Sequence, residues 1–183
     1  GTVTDEDIET FCKNVSSLHR LQTRSFAEEY QQWGSTNASE DAMETDDDVE
    51  LMKDLQMVID DPYEQPEHTP LLWHIALRAC DVYRDVHGAY PGEDLESLES
   101  QATEVHQSML GLVQKMGLTM TVDLKPHAAE MVRYHNAQVH NVASIIGGVA
   151  SQEAVKLITC QYIPLNNTHV YNGIAGTAAV YRF

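Results

Sequence analysis

The chain has 183 residues, of which 28 are acidic and 11 basic, giving a net charge of −17, and 43% are apolar. That length supports one domain, or a domain and a half, with a sizeable core. The charge excludes autonomous nucleic-acid binding, which needs a basic footprint, and disfavours attraction to anionic membranes. No apolar run reaches the roughly 18 residues of a membrane span, and the acidic start Gly1–Asp7 is not a signal peptide. Gly1 in place of Met is the first sign that the chain is a piece of something longer.

Helical periodicity dominates. From Asp5 to about Leu18, Ile8, Phe11, Cys12 and Val15 share one face, and from Arg24 to about Trp33 Phe26, Ala27 and Tyr30 do the same. Gly34 to Ser39 has loop composition. Glu40 to Glu50 holds seven acidic residues in eleven, a self-repelling run expected to be solvated. A helix restarts near Asp46, carrying Val49, Leu51, Met52, Leu55 and Val58, and Asp61-Pro62 stops it. Pro62, Pro66 and Pro70 mark residues 60–70 as a linker.

Thr69 reads as an N-cap, with Pro70 at the first helical position, and the helix it opens runs to His87 before Gly88. Its apolar residues include Leu72, Trp73, Ala76, Leu77, Cys80 and Tyr83. Tyr90-Pro91-Gly92 is a turn. Further helices are expected over Asp94–Met116, ending at Gly117, and over Asp123–Tyr134 with Pro126 in the first turn. Asn136–Gln161 reads as a long helix with Val142, Ile145, Ile146, Val149, Ala150 and Leu157 on one side. At 100° per residue Glu153 falls inside that stripe, so it is expected to be hydrogen-bonded or paired. His169–Asn172 and Ala178–Phe183 read as a β-hairpin turned between Gly173 and Gly176. Val170, Tyr171, Val180 and Tyr181 are expected to pack on the 136–161 helix. An isolated hairpin is marginal, and the chain has no other strong strand, which is the second sign of a fragment. The fold class is mainly α, with a C-terminal hairpin.

The chain offers no catalytic, cofactor-binding or metal-ligating residue by motif. Three cysteines, Cys12, Cys80 and Cys160, lie far apart with no Cys-x-x-Cys, the pattern of reduced intracellular thiols. Cys12 follows four acidic residues and Cys80 faces the core beside Asp81, so neither looks like an activated thiolate. Sequons at Asn14, Asn37 and Asn166 are then chance matches. Gly147-Gly148 lies inside a helix without dinucleotide spacing and reads as a close packing contact. His135 and His140, five apart, fall on different helix faces and cannot chelate together. Trp73 and His74 read as core residues.

A resemblance adds what motifs do not. The run from Val142 to Thr159, followed by Pro164-Leu-Asn-Asn-Thr-His-Val-Tyr-Asn-Gly173, resembles the terminal helix and strand of the adenylation fold of ubiquitin-activating-type enzymes. The form with Asn-Asn-Thr before a Tyr-x-Gly strand is similar to one family, the regulatory subunit of the heterodimeric activating enzyme of the neddylation pathway, also called amyloid-precursor-protein-binding protein. Arg24–Tyr30, Leu77–Ala79, Tyr90–Gly92 and Gly117–Thr119 agree with it in order.

The resemblance implies the C-terminal part of such a subunit. Residues 1–133 would form a helical lobe like the catalytic-cysteine domain of related enzymes. Residues 134–183 would complete a ThiF-like adenylation fold. It further implies a scaffold for a catalytic subunit. The heterodimer binds ATP and magnesium, adenylates the C-terminal glycine of a ubiquitin-like modifier and forms a thioester, with a conjugating enzyme as an indirect partner. No cofactor, catalytic residue, nucleic acid or membrane is assigned to this chain, which is expected to be inactive alone. The location implied is intracellular, cytoplasmic or nuclear. The competing readings are a free-standing acidic helical adaptor and a cysteine-dependent transferase.

Overall fold

The computed structural model describes residues 2–14, 46–61, 68–134 and 137–182. The expected helix over Arg24–Trp33, the loop at Gly34–Ser39 and most of the acidic run lie outside the described residues.

Helix α1 spans Asp5–Asn14. Thr4 Oγ1 accepts the Asp7 N–H, and the Asp7 carboxylate accepts the Thr4 N–H at 2.8 Å, a reciprocal cap that uses two otherwise orphaned donors. The Thr4 hydroxyl also donates to that carboxylate at 2.6 Å, and this bond first, then the Thr4 N–H, holds the Asp7 carboxyl below the usual carboxylate range. Asp5, Glu6 and Asp7 also complement the positive end of the helix dipole. Helix α2, Asp46–Ile59, begins where the sequence pattern restarts and buries Leu55 and Ile59. Its Gln56 is tied to Thr119, donating from Nε2 to the carbonyl at 3.1 Å and accepting the N–H at Oε1 at 2.8 Å.

Helix α3 spans Pro70–His87 and has the ends the sequence predicts. Thr69 is extended, Pro70 opens the first turn, and Gly88 closes the helix at φ 75°, a left-handed conformation that glycine adopts without Cβ strain. The Thr69 side chain makes no capping bond. Helix α4, Leu98–Lys115, starts four residues later than the periodicity suggests. The Asp94 carboxylate accepts the Glu96 N–H and the Ser97 hydroxyl, and this local turn displaces helix. Gln101, buried at the helix start, fixes the corner by accepting from the Gly92 N–H and donating to the Asp94 carbonyl. Helix α5 is Lys125–Tyr134.

Helices α3, α4 and α5 pack around one core of Leu71, Leu72, Ile75, Val105, Met109, Leu124 and Val132, all at most 2% exposed. Each such side chain contributes roughly 1.5–3 kcal/mol by leaving water. The rings of Trp73 and His127 meet at 4.8 Å between α3 and α5, and His87 Nε2 lies 2.8 Å from the Glu104 carboxylate between α3 and α4.

Helix α6 spans His140–Thr159, shorter than the predicted 136–161 at both ends. Cys160 closes it with φ 52°. Strands β1, Thr168–Asn172, and β2, Thr177–Tyr181, form an antiparallel two-stranded sheet with Val170 opposite Ala179. The hairpin packs on α3 rather than along α6 as predicted: Val170 and Tyr181 join the α3 core. The described architecture is mainly helical with this C-terminal hairpin.

Candidate functional site

The thiols come first, because a thiolate is the one nucleophile the sequence could offer. Cys80 is buried on α3, and that burial, with the Asp81 carboxylate second, pushes its thiol up to about 12. At neutral pH it is a protonated, inert core residue. Cys12 and Cys160 are exposed on α1 and at the end of α6.

His74, predicted as core, is buried on α3, and desolvation, then the Arg78 charge, lower its pKa to about 4. It is a neutral imidazole at physiological pH. Trp73 beside it is half-buried. Among the described residues, no group of three or more His, Cys, Asp or Glu side chains could hold a metal ion. Nor is any helix among them long and apolar enough to cross a membrane. Gly147 and Gly148 lie in the middle of α6, where their N–H groups belong to the helix ladder. They cannot cradle a phosphate as a strand-to-helix loop does, so this part of the chain does not fit a nucleotide.

What remains is α6 itself. It has no buried residue over its twenty positions, although much of its sequence is aliphatic. Ile145 and Ile146 are exposed, Leu157 is 61% exposed and Ile158 81%. The large side chains Val142, Ile145, Ile146, Val149 and Leu157 lie within about 60° of one line along the helix, as predicted. The opposite side carries the small residues Ala143, Ser144, Gly147, Ser151 and Ala154, joined towards the C-terminal end by Val155 and Ile158. The predicted close contact at Gly147-Gly148 is not made among the described residues, where a Cβ added at either glycine would meet nothing within 4 Å. A helix apolar on this scale is the buried kind.

Glu153 sits on the stripe and is paired, as its phase predicts. Its carboxylate accepts from Lys156 Nζ at 2.6 Å and from the Leu165 N–H at 2.7 Å. Both bonds, the lysine's first, hold its pKa below the ordinary value. The lysine comes from the next turn of α6 and the backbone donor from the segment before β1, and the pair is partly exposed because no described element covers the stripe around it. Sequence reasoning missed the corner of His68, Leu71 and the hairpin. Leu71 N–H donates to the Tyr181 hydroxyl at 3.0 Å, and Asn172 Nδ2 donates to the His68 carbonyl at 3.0 Å. The buried Asn172, between a strand and a glycine, was the one sequence signal for it.

This chain is 34% identical over 181 residues to the NEDD8-activating enzyme E1 regulatory subunit of Xenopus laevis, covering 99% of the chain and 30% of that protein. It is 30% identical to the Danio rerio protein of the same name over the same span. With the regulatory subunit AXL of Arabidopsis thaliana it shares 30% identity over 174 residues. The chain resembles these regulatory subunits along its whole length. It spans about 30% of the length of the curated relatives it matches. No family model matches it.

Proposed function

We propose that the chain is the C-terminal part of a non-catalytic regulatory subunit of a heterodimeric NEDD8-activating enzyme. The observation that carries this reading is likeness over 99% of the chain to proteins bearing that name. In this reading residues 1–133 are the helical lobe corresponding to a catalytic-cysteine domain. Residues 134–183 complete a ThiF-like adenylation domain, whose remaining strands and helices cover α6 and extend the hairpin. The buried, protonated thiol of Cys80 supports a role for this helical lobe that is architectural. Nucleotide, magnesium and the thioester cysteine then reside elsewhere in the heterodimer. Its partner is the catalytic subunit, which adenylates the modifier's C-terminal glycine, making the acyl group electrophilic towards a thiolate.

The test is co-purification of the full-length protein with a ubiquitin-activating-type catalytic subunit, followed by ATP–pyrophosphate exchange in the presence of the modifier. Exchange by the pair, and none by this chain alone, is the expected result. A full-length protein that neither binds the catalytic subunit nor supports exchange refutes the reading and leaves an adaptor.

A further inference from the structure

Among the described residues, helix α6 and the helical core are joined mainly through the hairpin. Among the described residues no element packs along α6, and its N-terminal connection runs through 135–136, outside the described residues. What it touches is the hairpin side. The Glu153 carboxylate holds the Leu165 N–H just before β1, and Gly173 at the hairpin turn comes so close to Val142 that an added Cβ would lie 2.9 Å from its methyl. The hairpin, in turn, is fastened to the start of α3. Tyr181 accepts from the buried Leu71 N–H, an orphan donor of the first turn. Asn172 and Thr177 both donate to the His68 carbonyl. The same Asn172 accepts the Ile174 and Ala175 N–H groups at Oδ1, so one side chain folds the turn and ties it down.

We propose that the β1–β2 hairpin is a strap that sets the orientation of α6 relative to the α3–α5 core, latched by Tyr181 and Thr177 on the His68–Leu71 corner. In the proposed reading the rest of the adenylation domain also bears on α6, so the strap is tested in this chain, and its failure would leave that reading standing. Removing the Tyr181 and Thr177 bonds, with Asn172 kept to fold the turn and hold His68, should loosen α6 without unfolding the core.

The experiment places spin labels at Gln107→Cys on α4 and Ser151→Cys on α6, both exposed, with Cys12 and Cys160 replaced by Ser and the unreactive Cys80 kept. Distance distributions are recorded with the hairpin intact and in Tyr181→Phe/Thr177→Val. With the latch, the distribution should be narrow. Without it, the width should at least double, the Leu71 amide should exchange at least tenfold faster, and the amides of Val105 and Met109 should keep their protection. An unchanged width with a deprotected Leu71 overturns the proposal, as does a distribution already broad in the intact hairpin or an unchanged Leu71 amide. Should the double variant deprotect Val105 and Met109, Tyr181→Phe alone carries the test against the same outcomes.

Discussion

His74 makes acid sensitivity a property of the helical core. In the unfolded chain a histidine takes up its proton near pH 6.5, whereas the buried imidazole on α3 does so only near 4. Its folded pKa is depressed, so between those values the unfolded state binds more protons and stability rises with pH. The contribution is fully present above pH 6.5 and is lost as pH falls through the window from 6.5 to 4. One pKa unit corresponds to about 1.4 kcal/mol, so moving from pH 7 to pH 5 should cost about 2 kcal/mol, and reaching pH 4 about 3 kcal/mol. Against the roughly 5–15 kcal/mol of a typical domain that is a large fraction. Urea unfolding followed by far-UV circular dichroism at pH 7, 6, 5 and 4 measures the slope, and His74→Gln removes the titrating group. Asp94, held low by the Ser97 hydroxyl, titrates below this window, and Glu153 adds to the slope only towards pH 4, so the comparison between pH 7 and pH 5 isolates the imidazole. If His74→Gln loses as much stability between pH 7 and pH 5 as the unaltered chain, the reasoning is wrong and another group governs the slope.

Met109→Ala, at a fully buried site on α4, should cost about 2–5 kcal/mol in urea unfolding, whereas Leu110→Ala beside it, 40% exposed, should cost under about 1 kcal/mol; equal effects would refute the packing described for α4. Gly88→Ala should cost about 1 kcal/mol from left-handed backbone strain alone, since its Cβ would enter open space, and a larger loss of melting temperature than that implies would reveal a contact there. With a thiol reagent at pH 8 the native chain should lose two thiols quickly, Cys12 and Cys160, while Cys80 reacts only on unfolding; rapid modification of Cys80, read by peptide mass spectrometry, would contradict its burial.

Much of the fold can be read from local chemistry, and what cannot is non-local. Pro70 and Gly88 define α3 at its two ends because a fixed φ and a left-handed cap act within a turn, and Thr69 takes the N-cap position without a side-chain bond. The start of α4 is lost to the same kind of local rule, since the Asp94 side chain competes with the helix for N–H groups that apolar spacing does not reveal. The phase of α6 correctly places Glu153 on an apolar line and demands partners for it. Phase cannot name Leu165 as the donor, nor show that no described element lies along that line. The hairpin is legible as two strands and a turn, yet its seat on α3 depends on a hydroxyl meeting an amide 110 residues away. The candidate surface is visible only as an excess of aliphatic residues in a helix, because exposure is a property of the assembled chain and not of any motif.

That distance of 110 residues also fixes an order of events during synthesis. Ribosomes add about 5–20 residues per second, so Leu71 emerges roughly 5–20 s before Tyr181 exists. Helix turns form in well under a millisecond, so α3 to α5 have ample time to collapse in the interval. For those seconds the nascent core carries an amide with no acceptor and an apolar patch where Val170 and Tyr181 will sit. The final seal therefore waits for the hairpin, and damage to β1 or β2 would be felt first as aggregation of newly made chains.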